Sequence, residues 1–283
     1  MAYWQWGNPL AAHVVLCVHG LSRQGRDFDT LAANLVERAR GDIHVICVDV
    51  VGRGESDWLK DPMGYQIPAY AADMLVLLAQ LHAQRAITML DWVGTSMGGL
   101  IGMVVCGQPS LPLPVAVHKL VLNDVGPAIE WLSIVRIGTY LGAPITFDSV
   151  QLAADAMWAI SRGFGPHTPE QWLALSRPMV RPVTNMPGKL RLHYDPALAV
   201  PFKQATEDST LHGEKMLWHL YDSITAQTLL LRGADSDLLS PATAQAMSQR
   251  GPKAQLVEFA GVGHAPTLVA ANQITAVAGF LLG

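Results

Sequence analysis

The sequence predicts an α/β fold: a mostly parallel, doubly wound sheet with a helical cap inserted into it. Three observations carry that expectation. Short apolar runs alternate with amphipathic stretches through the first 126 residues, the rhythm of parallel strands joined by crossover helices. The alternation stops between residues 127 and 214 and then resumes, as one insertion between two strands of a single sheet would make it do. Half of the 283 residues are hydrophobic and only 15% are charged, which is material for a large core and excludes a disordered chain.

Taken in order, Tyr3–Trp6 alternates weakly and suits a short edge strand. His13–Val18 is a buried strand, stopped by His19-Gly20. Over residues 29–39 the helical spacing puts Leu31, Leu35, Val36 and Ala39 on one face. Ile43–Val50 is the next buried strand and runs into a glycine-rich turn, Asp49-Val50-Val51-Gly52-Arg53-Gly54-Glu55-Ser56-Asp57. A helix over 68–83 carries Met74, Leu75, Leu77, Leu78 and Leu81. Residues 86–93 form a strand that meets Gly94-Thr95-Ser96-Met97-Gly98-Gly99 and then a helix, and Lys119–Val125 is the following strand.

The segment 127–214 shows helical pieces, many prolines and no evident strand; Trp131, Trp158, Trp172, Met157, Met179 and Met186 give it a soft apolar character. It is expected to lie over the sheet as a lid, leaving residues 1–126 and 215–283 as the core domain. The sheet resumes at Gln227–Arg232. A loop with Asp235 and Asp237 leads to Ser240-Pro241, a good N-cap with proline at the first helical position. Ala254–Phe259 is the last strand, Gly261-Val262-Gly263-His264 a tight loop, and 266–282 the closing helix.

Composition narrows the function classes. The formal net charge is −4 and no cluster of lysine and arginine is present, so the partner expected is a small molecule and not a nucleic acid. No run of 18 apolar residues predicts a membrane span, and the N-terminus lacks the pattern of a signal peptide, which leaves the cytoplasm as the expected compartment. Cys17, Cys47 and Cys106 all sit in apolar runs and read as buried free thiols. No cofactor and no metal are expected: Gly52-x-Gly54 lacks the third glycine of a dinucleotide fingerprint, and there is no phosphate-binding loop, His-Glu-x-x-His helix or Cys-x-x-Cys pair.

The chemistry centres on Gly-x-Ser-x-Gly at 94–98. A serine forced into a sharp strand-to-helix turn needs neighbours without side chains, and the turn lifts its hydroxyl clear of the sheet. Serine is a poor nucleophile until a base takes its proton, and the base needs a third group to hold its tautomer. His264, framed by glycines after the last strand, suits the base. For the acid, Asp237 is favoured over Asp235 in the same loop, and Asp124 at the end of the 119–125 strand is a third candidate. Each candidate lies at the carboxyl edge of a strand, where open α/β sheets bind ligands. The backbone N–H groups of Met97 and Leu21 are the expected oxyanion donors. His19 reads as structural.

These residues together resemble the α/β-hydrolase fold superfamily, in its cap-bearing, esterase-like branch. The resemblance rests on His19-Gly20, Asp49-x-x-Gly52-x-Gly54-x-Ser56, Gly94-Thr95-Ser96-Met97-Gly98-Gly99, the Asp loop at 235–237 and Gly263-His264, and spans nearly the whole chain. Thr95 departs from the histidine often found there, and the usual first edge strand is short or missing. The resemblance implies cleavage of carboxylic esters of small or medium acyl groups, lactones and thioesters among them, through an acyl-enzyme on Ser96. A carbon–carbon bond hydrolase of vinylogous diketones is the alternative, although such enzymes commonly carry tryptophan after the histidine where Ala265-Pro266 stands here. A non-catalytic small-molecule receptor is the reading from another class. Serine at the elbow argues against haloalkane dehalogenases and epoxide hydrolases, which use aspartate.

Overall fold

The computed structural model describes all of residues 1–283. The strands are β1 (Tyr3–Gly7), β2 (His13–Val18), β3 (His44–Val48), β4 (Met89–Thr95), β5 (Val117–Asn123), β6 (Thr146–Phe147), β7 (Val180–Pro182), β8 (Leu190–Leu192), β9 (Gln227–Gly233) and β10 (Gln255–Phe259). The helices are α1 (Asp29–Arg38), α2 (Ile67–Gln84), α3 (Met97–Gly107), α4 (Trp131–Tyr140), α5 (Val150–Ser161), α6 (Pro169–Ser176), α7 (Ala199–Lys203), α8 (Glu207–Asp222), α9 (Pro241–Met247) and α10 (Ala271–Leu282). No helix is long and apolar enough to cross a membrane.

Seven strands form one sheet in the order β1-β3-β2-β4-β5-β9-β10, parallel throughout except for β1, which pairs antiparallel with β3. Strands buried on both faces divide their residues by the period of two. In β2, Val14, Leu16 and Val18 join the larger core cluster with residues of α2, α3 and α9; Val15 and Cys17 face the other way, towards α1 and α10. The edge strand β1 alternates exposed and half-buried, in keeping with its weak pattern.

Ser240 caps α9 through Thr243 N–H, as its place before Pro241 predicts. The closing helix starts at Ala271, five residues later than its apolar pattern predicts. Residues before it form a loop in which the Gln273 side chain accepts from Leu268 N–H at 2.8 Å.

The insertion leaves after β5 and returns before β9. It is mostly helical, but β6, β8 and β7 pair antiparallel into a small sheet of two- and three-residue strands that the sequence pattern does not reveal. Position 214, the expected end of the cap, falls inside α8. That helix lies against the core: a Cβ on Gly107 of α3 would sit 2.2 Å from Leu220 O.

Candidate active site

The elbow is built by close backbone approach. Ser96 has φ 51° and ψ −114°, a conformation that costs a non-glycine residue energy and survives only where its surroundings impose it. A Cβ on Gly98 would stand 1.9 Å from Val18 O, and one on Gly94 would stand 2.3 Å from Gly98 O. Both positions are therefore closed to any larger residue. Trp92, fully buried in β4, donates its indole N–H to Gly98 O at 3.1 Å and braces the first turn of α3.

His264 is brought to this serine from the loop after β10. Its Nε2 lies 3.0 Å from Ser96 Oγ, and its Nδ1 lies 2.8 Å from Asp124 Oδ2. An ionised carboxylate only accepts hydrogen bonds. Nδ1 therefore carries the proton and Nε2 is left to accept from the serine hydroxyl. The carboxylate of Asp124 is fully buried and the imidazole nearly so.

The acid corrects the sequence-based preference. Asp237 does not face the histidine: its carboxylate is half-exposed and takes a bidentate pair of bonds from Arg136 of α4, at 2.8 and 3.1 Å. Asp235 is exposed on the same loop. Asp124 follows β5 with φ +56°, a turn that aspartate tolerates, and this swings its side chain towards the next strand. There Oδ1 accepts from Gly233 N–H at 2.8 Å, and Oδ2 accepts from Ser236 Oγ at 2.6 Å as well as from His264.

Ser236 is the residue that the sequence reading passed over. Its hydroxyl oxygen also accepts from Leu238 and Leu239 N–H, so its proton is free only for Asp124. Asn123 was missed too. Its amide group donates to Thr95 Oγ1 at 3.0 Å and to Pro266 O at 2.8 Å, tying the end of the elbow strand to the histidine loop.

The expected oxyanion donors flank the serine. Met97 opens α3, so no helical carbonyl reaches its N–H. Leu21 lines the same pocket as Ser96. Buried His19 fixes the turn beside it, with Nδ1 at 2.7 Å from Gly20 O and Nε2 accepting from Val50 N–H at 3.0 Å. Burial pushes the His19 pKa down to about 3, so the ring is neutral. Arg53, fully buried, ties the two donor segments together. Its guanidinium donates to Leu21 O at 2.8 Å and reaches Met97 Sδ at 3.3 Å, while Tyr70 covers its face. In the sequence it was only a residue between two turn glycines.

The cavity over Ser96 holds about 220 Å³, at the small end for ligand pockets. Its walls are mainly apolar, with Ile137, Ile145, Phe147, Met157, Phe164 and Met179 all contributed by the insertion. The two arginines that reach it are each met by a carboxylate, Arg23 by Asp27 at 2.6 Å and Arg136 by Asp237. Tyr140 and Tyr194 add hydroxyls. No group of three or more His, Cys, Asp and Glu side chains could hold a metal ion.

A family model described as alpha/beta hydrolase family matches residues 15–277. A 3-hydroxybutyrate-oligomer hydrolase of Cupriavidus necator is 45% identical over 284 residues, covering 100% of this chain and 93% of that protein. Among solved structures, an alpha/beta hydrolase from Novosphingobium aromaticivorans is 34% identical with a TM-score of 0.82, covering 99% of this chain and 93% of that one. A putative hydrolase from Rickettsia typhi is 28% identical with a TM-score of 0.84, covering 99% and 90%.

Proposed function

The chain belongs to the alpha/beta hydrolase family, and we propose that it cleaves carboxylic esters through Ser96, His264 and Asp124, with short oligomers of 3-hydroxybutyrate as its substrate class. One observation carries this reading: an unbroken series of hydrogen bonds, Ser96 to His264 to Asp124, opens onto a small and largely apolar cavity.

In this mechanism Ser96 Oγ attacks the ester carbonyl as His264 Nε2 takes its proton. Negative charge gathers on the carbonyl oxygen, where the N–H groups of Leu21 and Met97 receive it; preorganised donors of this kind contribute about 3 to 4 kcal/mol each. His264 then passes the proton to the departing alkoxide, here the 3-hydroxyl end of the leaving oligomer. Asp124 stabilises the imidazolium without taking its proton. Water, deprotonated by the same nitrogen, splits the acyl-enzyme.

The relative's name supplies the substrate class, and the cavity fits it in two respects. Apolar walls accept a methyl-branched four-carbon unit, and the pairing of both pocket arginines leaves little uncompensated charge around an uncharged ester bond. A cytoplasmic setting accords with Cys17 and Cys47, register partners on β2 and β3 that remain free thiols.

The test is release of monomer from the dimer and trimer of 3-hydroxybutyrate, followed by chromatography beside a nitrophenyl butyrate assay. Ser96→Ala is expected to lower both rates by about 10⁶. Cleavage of the nitrophenyl ester with untouched oligomers would remove the substrate class. Undiminished activity in Ser96→Ala would remove the mechanism.

A further inference from the structure

The face of the cap sheet opposite the catalytic pocket carries an arrangement that the ester chemistry does not use. Arg181 on β7 and Arg191 on β8 are direct register partners, so their side chains leave the same face side by side. Like charges placed opposite each other across two strands repel, and neither guanidinium has a carboxylate within ion-pair distance or a hydrogen bond to any protein group. Arg191 Nε is buried with no acceptor. Its guanidinium lies over the ring of Trp58, 4.8 Å from the ring centre. Both arginines line a groove of about 390 Å³, closed on its other side by the Gly54–Trp58 loop of the core. Arg23 and Arg136, the arginines of the cavity over Ser96, each have a carboxylate.

We propose that Arg181 and Arg191, backed by Trp58, form a binding site for a small oxyanion, a carboxylate or a phosphate group, at the joint between cap and core. Two neighbouring guanidinium groups offer N–H donors to the oxygens of such a group, and arginine is the residue suited to bidentate recognition of it. Glu55 and Asp57 line the same groove and temper affinity by repulsion, while the Ser56 hydroxyl is taken up by Asp49 O and Ala2 N–H. The site touches the catalytic pocket through one strand. Alternation along β8 sends Arg191 into the groove, and its neighbour Leu192 lines the cavity above Ser96. The loop is joined to the same strand end, with Gly54 N–H donating to His193 O at 2.9 Å and a bridge between Arg53 and Tyr194. An anion held there clamps the cap to the glycine-rich turn.

Titration calorimetry on the intact protein tests the proposal, with inorganic phosphate in one arm and acetate and 3-hydroxybutyrate in the other. Saturable one-to-one binding in either arm is expected, and the arm identifies which oxyanion the groove prefers. Binding should weaken at least tenfold in Arg191→Gln and in Arg181→Gln, and Arg191→Lys, which keeps charge but loses the fork, should rescue it only in part. The arginine variants should keep their hydrolysis of the nitrophenyl ester, which separates this site from the catalytic reading. Glu55→Gln with Asp57→Asn should tighten binding severalfold. An unchanged melting temperature in each variant shows that the fold is intact. Absence of saturable binding in both arms, or affinity in both Gln variants equal to that of the unsubstituted protein, would overturn the proposal.

Discussion

Two loops at the carboxyl edge of neighbouring strands each offer carboxylates to the same histidine, and only one is used. After β5, Asp124 is fully buried and receives three hydrogen bonds. After β9, Asp235 and Asp237 turn outward, and the residue between them, Ser236, points in. The difference shows that a relay position is defined by side-chain direction and burial, not by residue type near a strand end. The β9 loop still contributes to the relay, because its serine fixes the acid that the β5 loop provides.

Several changes would break or sharpen that contrast. Asp124→Asn is expected to cost about 10⁴ in kcat, since an amide favours the wrong tautomer of His264; steady-state hydrolysis of a nitrophenyl ester measures it. Adding Ser236→Asp to that variant places a carboxylate within reach of the vacated histidine, and should restore about tenfold or more of the lost rate, a coupling of about 1.4 kcal/mol. No recovery would mean that the two loops are not geometrically interchangeable. Ser236→Ala alone removes one charge-assisted hydrogen bond and should lower kcat about tenfold with little change in KM. Asp237→Asn, which touches only a solvent-exposed ion pair with Arg136, should stay within about threefold of wild type in kcat/KM. A loss approaching that of Asp124→Asn would reverse the assignment of the acid.

Ser96 and His264 could be singled out from the sequence because each stands in a distinctive neighbourhood. Glycines at 94 and 98 are demanded by contacts as short as 1.9 Å, and His264 stands after glycines at the end of the last strand. The acid could not be so read. A lone aspartate after an apolar strand looks the same whether it turns inward or out, and the left-handed turn at Asp124 is not one that its own residue type announces. The core strands follow from long apolar runs. β7 and β8 span three residues each, too few for a period of two to emerge, so the cap sheet and its arginine pair became visible only in three dimensions. Arg53 was obscure for another reason: its role depends on Leu21 and Met97, both more than thirty residues away.

The insertion departs and re-enters between β5 and β9, which are themselves adjacent and hydrogen-bonded, with Asp124 N–H held by Leu231 O at 2.8 Å. Both rims of that gap are thus stapled together beneath the excursion, whatever its length or shape. The cavity walls above are free to drift between descendants of this gene or under a protein engineer's hand. The hydrogen-bonded series of Ser96, His264 and Asp124 below keeps its dimensions.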